Sequence, residues 1–386
     1  MDFALTESQE MLVRGLRDML TAEYDKAYFR KLEDDGVWPH DVMKKLGDLG
    51  YMGITVPEEL GGYGGNALDV ALCIEEAARI MGGPAMAYFT TVCFGTRALS
   101  VLGTKRQQEE ILPGLLAGTS FVGLSLTEPD GGTDVLGAIK TTAQPDGDGN
   151  YVINGAKIFT TGAHIADWVI AVARTSGFEE KRTRGITMFL VPTSAEGLTI
   201  EPIPLFAQRS TGANNVIFNN VKVPAGNIFG ELDKGMYGLF NVLNDERVGA
   251  AAMTLGIAQA ALDEALGYAK VRHAFGRPIG QFQAIQHKLA ESWARIQAAK
   301  YLLYNAAWRE ANGLPAEMES SAAKLIGSET AVWVTNECMD VLGGYQNTLD
   351  FSMNYYFRDC RYTVAPVVNN AVKNLIGERL GLPKSY

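Results

Sequence analysis

Near residue 121 the chain changes texture, and near 235 it changes back; no other feature limits its possible folds as strongly. The middle stretch is made of short β-type runs such as Tyr151-Val152-Ile153, Trp168 to Val172, Thr187 to Val191 and Val216-Ile217-Phe218. Asp-Gly, Asn-Gly and Pro-containing turns separate them, with no long helical period between, as expected of a mostly antiparallel barrel or sandwich. Pro145 to Asn150, with two Asp-Gly pairs, reads as a hairpin tip. Residues 1–120 read as helices. Thr6 with Gln9 three positions on makes a capping start, followed by apolar positions at Met11, Leu12, Leu16 and Met19. Another helix is expected over Leu68 to Met81, with Pro84 just past its end. The turn Glu59 to Gly65 lacks the glycine order of a phosphate loop and reads as a connector. From Gly235 helices return and lengthen. Leu255, Ala258, Leu262, Ala265, Leu266 and Ala269 share one stripe, Asn312 to Pro315 interrupts, and Ile326, Val334, Val341 and Leu342 mark a further buried helix. The expected plan is α+β and multidomain: a helical domain over 1–120, a β domain over 121–234 and a four-helix bundle over 235–386.

Composition narrows the function classes. A formal net charge of −10 argues against a nucleic-acid partner, which needs basic patches against phosphate. No apolar run approaches the roughly 20 residues of a membrane span. Met1 to Thr6 lacks the basic flank and apolar core of a signal peptide, so a cytoplasmic location is expected. The four cysteines, Cys73, Cys93, Cys338 and Cys360, have neither metal-like nor disulfide-framework spacing. His40, His164, His273 and His287 form no ligand pattern, so no metal is expected; nor is there a G-x-S-x-G elbow.

The segment Ser125-Leu126-Thr127-Glu128-Pro129-Asp130-Gly131-Gly132-Thr133-Asp134 ends a strand-like run in a tight turn flanked by two threonines. Hydroxyls and free backbone N–H groups there suit a flat ring with polar edges. It resembles the T-E-P-x-A-G-S-D signature of the flavin-dependent acyl-CoA dehydrogenase family. Asn154 to Gly162 is similar to that family's N-G-x-K-x-W-I-T-N-G strand. Arg272 to Gly276, Phe282 to Gln286 and Val341 to Gly344 continue the likeness in family order and spacing.

The resemblance implies an FAD-dependent α,β-dehydrogenation of an acyl-CoA thioester, with electrons leaving through an electron-transferring flavoprotein and a homotetrameric assembly. That chemistry needs a base for the α-proton, donors for the enolate-like oxygen and a flavin N5 for the β-hydride. By resemblance, Leu124, Leu126, Thr127 and Thr133 line the flavin, Phe159 covers the ring and Thr161 bonds near N5. Phe159 stands where Trp is usual, which keeps an apolar cover and loses the indole donor. Arg272 and Phe275 reach a neighbouring subunit's flavin, with Gln283 on the adenosine side. Gly343 and Gly344 belong to the same cofactor region. Asp340 replaces the usual Gln before that glycine pair, and a carboxylate cannot donate as an amide does.

The base is displaced. Aligning Arg358-Asp359 and Asn374 to Ile376 without gaps places Val367-Val368-Asn369 at the family's Glu-Gly-Thr, so the usual Glu is absent. Leu243-Asn244-Asp245-Glu246-Arg247 resembles the helix start from which isovaleryl-type and long-chain-type members supply their base. That makes Glu246 the candidate base, with Asn244, Arg247 and Thr133 toward the substrate. Val367 keeps only its backbone N–H as an oxyanion donor. Met86, Tyr88, Phe89 and Phe94 are pocket-lining candidates near a helix end. Other readings stay open: an enoyl-CoA reductase, a desulfinase-like lyase, a 1,4-dehydrogenase of a cyclic acyl-CoA, or a non-catalytic subunit of a heteromeric enzyme.

Overall fold

The computed structural model describes residues 4–177, 183–365 and 368–383, without the side chains of Leu136 and residues 241–244. The N-terminal layer holds α1 (Glu7–Glu23), α2 (Lys26–Asp35), α3 (His40–Asp48), α4 (Ala67–Met81), α5 (Ala85–Thr90), a π-helical segment (Thr91–Arg97), α6 (Ala98–Leu102) and α7 (Lys105–Leu116). Thr6 and Gln9 make the expected capping box on α1. The buried positions of α1 are Leu16 and Leu20, whereas Met11 is exposed. The sequence stripe was therefore rotated toward solvent at its start. The run Ala85–Leu102 is long and apolar enough to cross a membrane by length and composition, but 67% of it is buried inside the protein. It packs as a core helix.

The β layer comprises β1 (Val122–Ser125), a single helical turn α8 (Val135–Ala138), β2 (Thr142–Pro145), β3 (Asn150–Thr161), β4 (Trp168–Arg174), β5 (Ile186–Pro192), β6 (Leu198–Ile203), β7 (Ala213–Pro224) and β8 (Ile228–Phe229). The order is β6-β7-β3-β2-β4-β5-β8, with β1 beside β4. Most pairings are antiparallel, but β1 and β2 both run parallel to β4. The sheet is thus mixed, because β1 enters it straight from the helical layer instead of through a hairpin.

The C-terminal helices are α9 (Gly235–Val271), α10 (Gln283–Ala311), α11 (Glu317–Leu342), α12 (Met353–Tyr362) and α13 (Asn369–Arg379), with the small ribbon β9 (His273–Ala274) and β10 (Arg277–Pro278) after α9. Asn312 to Pro315 breaks the array between α10 and α11 as expected, while Ile326 turns outward and is half exposed. Small residues let α9 lie close to its neighbours. A Cβ on Gly256 would sit 2.1 Å from the Glu75 carbonyl oxygen of α4, so that crossing tolerates only glycine. One apolar core joins the N-terminal layer to the bundle, and a second lies between the sheet, the π segment and the start of α9. The seam between the three layers meets at the C-terminal end of β1.

Candidate active site

A cavity of about 1180 Å³ opens at that seam. It is larger than a single drug-sized ligand needs and suits two joined ligands. One wall is built by β1 and the segment after it. Leu124, Leu126 and Thr127 face the cavity, and the Ile158 N–H donates to the Thr127 carbonyl at 2.9 Å. That bond carries the strand pairing into the Ser125–Asp134 segment. The turn closes with Gly131 N–H donating to the Glu128 carbonyl, and Asp134 caps α8 through Gly137 N–H at 3.0 Å.

What fixes this wall is a buried ion pair. Lys157 Nζ donates to Glu128 Oε1 at 2.9 Å and to the Leu126 carbonyl at 3.0 Å, and both side chains are almost fully buried. Glu128 also accepts the backbone N–H groups of Lys140 and Thr141. Burial pushes the Glu128 carboxyl up, but Lys157 and Thr141 together bring it below its ordinary value. Burial takes Lys157 down to about 8 against the pull of Glu128.

Phe159 sits at a register break between β3 and β7, lying between Lys157 and Thr160. Its φ is +60°, uncommon for a bulky side chain, and the ring is 59% exposed on the cavity rim. A bulge that turns an aromatic ring out of the sheet is a device for aiming a side chain. Thr161, two residues on, faces the cavity, as does Tyr362 of α12. Thr133 completes a row of three hydroxyl-bearing residues with Thr127 and Thr161. Leucines and a phenylalanine on a flat face, with hydroxyls along the margin, fit an isoalloxazine in both shape and donor chemistry.

The opposite wall is α9. Glu246 and Arg247 face the cavity, one turn before Gly249. A Cβ on Gly249 would lie 2.4 Å from the Phe89 ring, so Phe89 closes against α9. Glu246 faces open cavity yet is enclosed by protein on its other sides, and that burial pushes its carboxyl up to about 7; Arg247 and Lys324 partly oppose the rise. Beside it, Arg97 holds Asp245 at 3.2 Å. Glu310 is raised to about 9, chiefly by burial, with Asp245 adding to the rise.

The structure gathers Leu124, Leu126, Thr127, Thr133, Phe159, Thr161, Glu246 and Arg247 around one cavity. It does not bring the remaining candidates there. Arg272 caps the far end of α9, and Phe275 protrudes from the β9–β10 turn, 96% exposed with φ +53°. Gln283 opens α10, Asp340 pairs with Lys288 at 3.0 Å on the surface of α11, and Gly343 and Gly344 end that helix. Val367 lies outside the described residues, as does the side chain of Asn244. Of the four pocket candidates, Phe94 lines the cavity, while Met86, Tyr88 and Phe89 are buried in the core. Sequence reasoning missed Thr90, Tyr362, Val368 and Glu378 of the lining. A π-helical segment, which brings Thr90 and Phe94 to the cavity, leaves no periodic signal in the sequence.

Family models agree with this geometry. The acyl-CoA dehydrogenase N-terminal domain model matches residues 6–119, the middle domain model 123–221 and the C-terminal domain model 233–366. The chain belongs to the acyl-CoA dehydrogenase family, a family of oxidoreductases. It is 38% identical over 359 residues to the 3-(aryl)acrylate reductase of Clostridium sporogenes, covering 92% of this chain and 93% of that one. It is 33% identical over 357 residues to the caffeyl-CoA reductase-Etf complex subunit CarC of Acetobacterium woodii, with coverages of 92% and 93%. The solved butyryl-CoA dehydrogenase of Megasphaera elsdenii superposes with a TM-score of 0.93 at 32% identity, covering 99% of this chain and 100% of that one.

Proposed function

We propose that the chain is an FAD-dependent acyl-CoA dehydrogenase in which Glu246 exchanges the α-proton of the thioester. The observation that carries this reading is a carboxylate near pKa 7 facing the same cavity as the Thr127–Phe159 wall. A base poised near the working pH is half ionised and transfers protons in either direction without a large penalty. Bound FAD supplies the acceptor for the β-hydride at its N5. Phe159 covers that space and keeps water from it, and Thr127, Thr133 and Thr161 offer hydrogen bonds at its margin. Arg247 binds toward the coenzyme A portion, with Asn244 beside it. The backbone N–H at Val367 is assigned to the thioester oxygen, because that role requires no side chain.

The same groups run in reverse in a reductase, where protonated Glu246 delivers a proton to the α-carbon. Two relatives named as reductases favour that direction as a second reading. An electron-transferring flavoprotein is the proposed redox partner, supported by the relative that forms a complex with one. A homotetramer is proposed from exposed aromatic side chains on the bundle, namely Trp293, Tyr301 and Trp308 on α10 and Phe275 beyond α9. In it Arg272, Phe275 and Gln283 serve a neighbour's flavin. Four free, buried cysteines support a cytoplasmic location.

The test is anaerobic addition of straight, branched and aryl acyl-CoAs to the purified yellow protein, with and without Glu246→Gln. Loss of flavin absorbance in the wild type alone supports the dehydrogenase. Reoxidation of the reduced flavin only by enoyl-CoAs supports the reductase. Equal bleaching in the variant would remove Glu246 as the base.

A further inference from the structure

Lys324 is a buried charge that the proposed chemistry leaves unused. It lies on α11 with 1% exposure, and its Nζ donates to Asn369 Oδ1 at 2.7 Å. Asn369 in turn donates to Ser328 Oγ at 3.2 Å. These partners are neutral, and among the described residues the charge that Lys324 feels is that of Glu246. A buried ammonium without a contacting carboxylate costs several kcal/mol, so its retention calls for a reason.

Helix packing supplies the geometry. Helices α9 and α11 lie side by side, with Gly327 against Ala251 and, farther along, Cys338 within the field of Asp263. Both pairs advance together, so the helices run in the same direction. Lys324 and Glu246 each fall about one turn before the Gly327–Ala251 contact, and therefore at one level of the bundle. Asn369 opens α13, whose preceding residue Val368 lines the cavity. The hydrogen bond that Lys324 donates to Asn369 thus holds the ammonium at the depth of the carboxylate, apart from it.

We propose that Lys324 is a positioning residue that favours the ionised form of Glu246 in the resting site by charge alone, at a distance that leaves the carboxylate free to take a proton from substrate. This rests on Glu246 being the base. Direct contact, as in the Lys157–Glu128 pair, would hold the carboxylate too acidic for that task. The other groups facing Glu246 are Arg247 on its own helix, Tyr362 from α12 and Cys93 from the π segment. Glu378 of α13 also borders the cavity, and Asp245 and Glu310 stand beside Arg247. Burial raises Tyr362 and Cys93, so both are neutral through the pH range in question. Lys324 itself is brought down to about 8 by burial, and Glu246 pulls it back up. Removing the Lys324 charge removes an attraction for the ionised form, so the Glu246 midpoint must rise.

The experiment is an infrared titration of the flavin-loaded protein from pH 5 to 10, following the protonated-carboxyl band that disappears in Glu246→Gln. The pH profile of kcat/KM is measured alongside. In Lys324→Met the band midpoint and the acidic limb both move up by about one pH unit, leaving activity several-fold lower at pH 7 and close to wild type at pH 9. Lys324→Arg restores both. Should the Met variant not fold, Asn369→Asp neutralises the ammonium in place and moves the midpoint the same way. An unchanged midpoint in a folded Lys324→Met or Asn369→Asp variant overturns the proposal while leaving Glu246 as base. Undiminished turnover in Glu246→Gln overturns the base assignment and this proposal together.

Discussion

Lys157 and Lys324 are the two fully buried lysines among the described residues, and each is set near a carboxylate in an opposite way. In the β layer Lys157 touches Glu128, and the carboxylate is further saturated by backbone N–H groups, which together take it below its ordinary value. In the bundle Lys324 is turned to Asn369 and Glu246 faces the cavity, its carboxyl raised to about 7. Contact and saturation make the first pair a rivet holding the Thr127 wall against β3. Separation and a face open to the cavity suit the second carboxylate to the proton transfer proposed for it. The residue types are the same; what differs is that hydrogen bonds saturate Glu128 in the protein interior, while Glu246 is turned to the cavity.

The comparison breaks most sharply at Glu246. Glu246→Gln should lower kcat about 10³- to 10⁴-fold, or roughly 4–5.5 kcal/mol of barrier, with flavin content and coenzyme A affinity preserved. Stopped-flow reduction of the bound flavin measures it, and a loss below tenfold would place the base elsewhere. The rivet should respond in stability instead. Lys157→Met leaves Glu128 buried without its cation and should cost about 3–4 kcal/mol in chemical denaturation. Adding Glu128→Gln should recover much of that, because the second change removes the stranded charge. If the double variant is as unstable as the single one, the pair is not the unit that holds the wall.

These two sites differ in how far the sequence reveals them. The strand and turn of the Thr127 wall are legible because they are local, a short apolar run ending in a Pro-Asp-Gly-Gly turn, while its match to a flavin was given by resemblance. The three-layer plan is legible for the same reason, since periodicity changes where the layers change. Glu246 was likewise singled out by resemblance, as an acidic residue near a helix start is ordinary by itself. Lys324 and Asn369 were not reachable. They lie 45 residues apart and meet only when α11 and α13 pack, and no local pattern encodes that meeting. The outward turn of Met11 and Ile326 shows the same limit, because a helical stripe fixes which residues share a face and the neighbouring layer fixes which face is covered.

A smaller effect sharpens the contrast through pH. The raised Glu246 carboxyl means the folded protein binds a proton there more tightly than the unfolded chain, whose value is near the ordinary 4.5. Its contribution to stability is full below that ordinary value and is lost as pH rises through about 7. Glu246→Gln should therefore stabilise the protein at pH 8.5, by at most about 3 kcal/mol, with the gain vanishing below pH 4.5. Glu128, held low, has the opposite sign: its stability is present above the ordinary carboxylate value and lost as pH falls through its own. Thermal melts of Glu246→Gln and Glu128→Gln across pH 2 to 9 would show the first effect between pH 4.5 and about 7 and the second, of opposite sign, below pH 4.5; trends of one sign in one window would deny that the two carboxylates differ in kind.

The smallest expected effect lies at the far end of the bundle. Asp340 pairs with Lys288 at the surface, where Lys288 also meets Glu337, so losing one partner leaves the other. An exposed ion pair of this kind is worth about 0–1 kcal/mol, and Asp340→Gln should change unfolding by no more than that. The consequence to look for is in cofactor retention. An amide donates where a carboxylate only accepts, and Gln is the family's usual residue before the Gly343–Gly344 pair. If the end of α11 serves a neighbouring subunit's flavin, Asp340→Gln should slow the loss of FAD during dialysis. It should do so in the assembled protein and lose the advantage when dilution separates the subunits. Equal FAD loss in both forms would leave Asp340 as a surface charge and confine this chain's cofactor contacts to the cavity between β1 and α9.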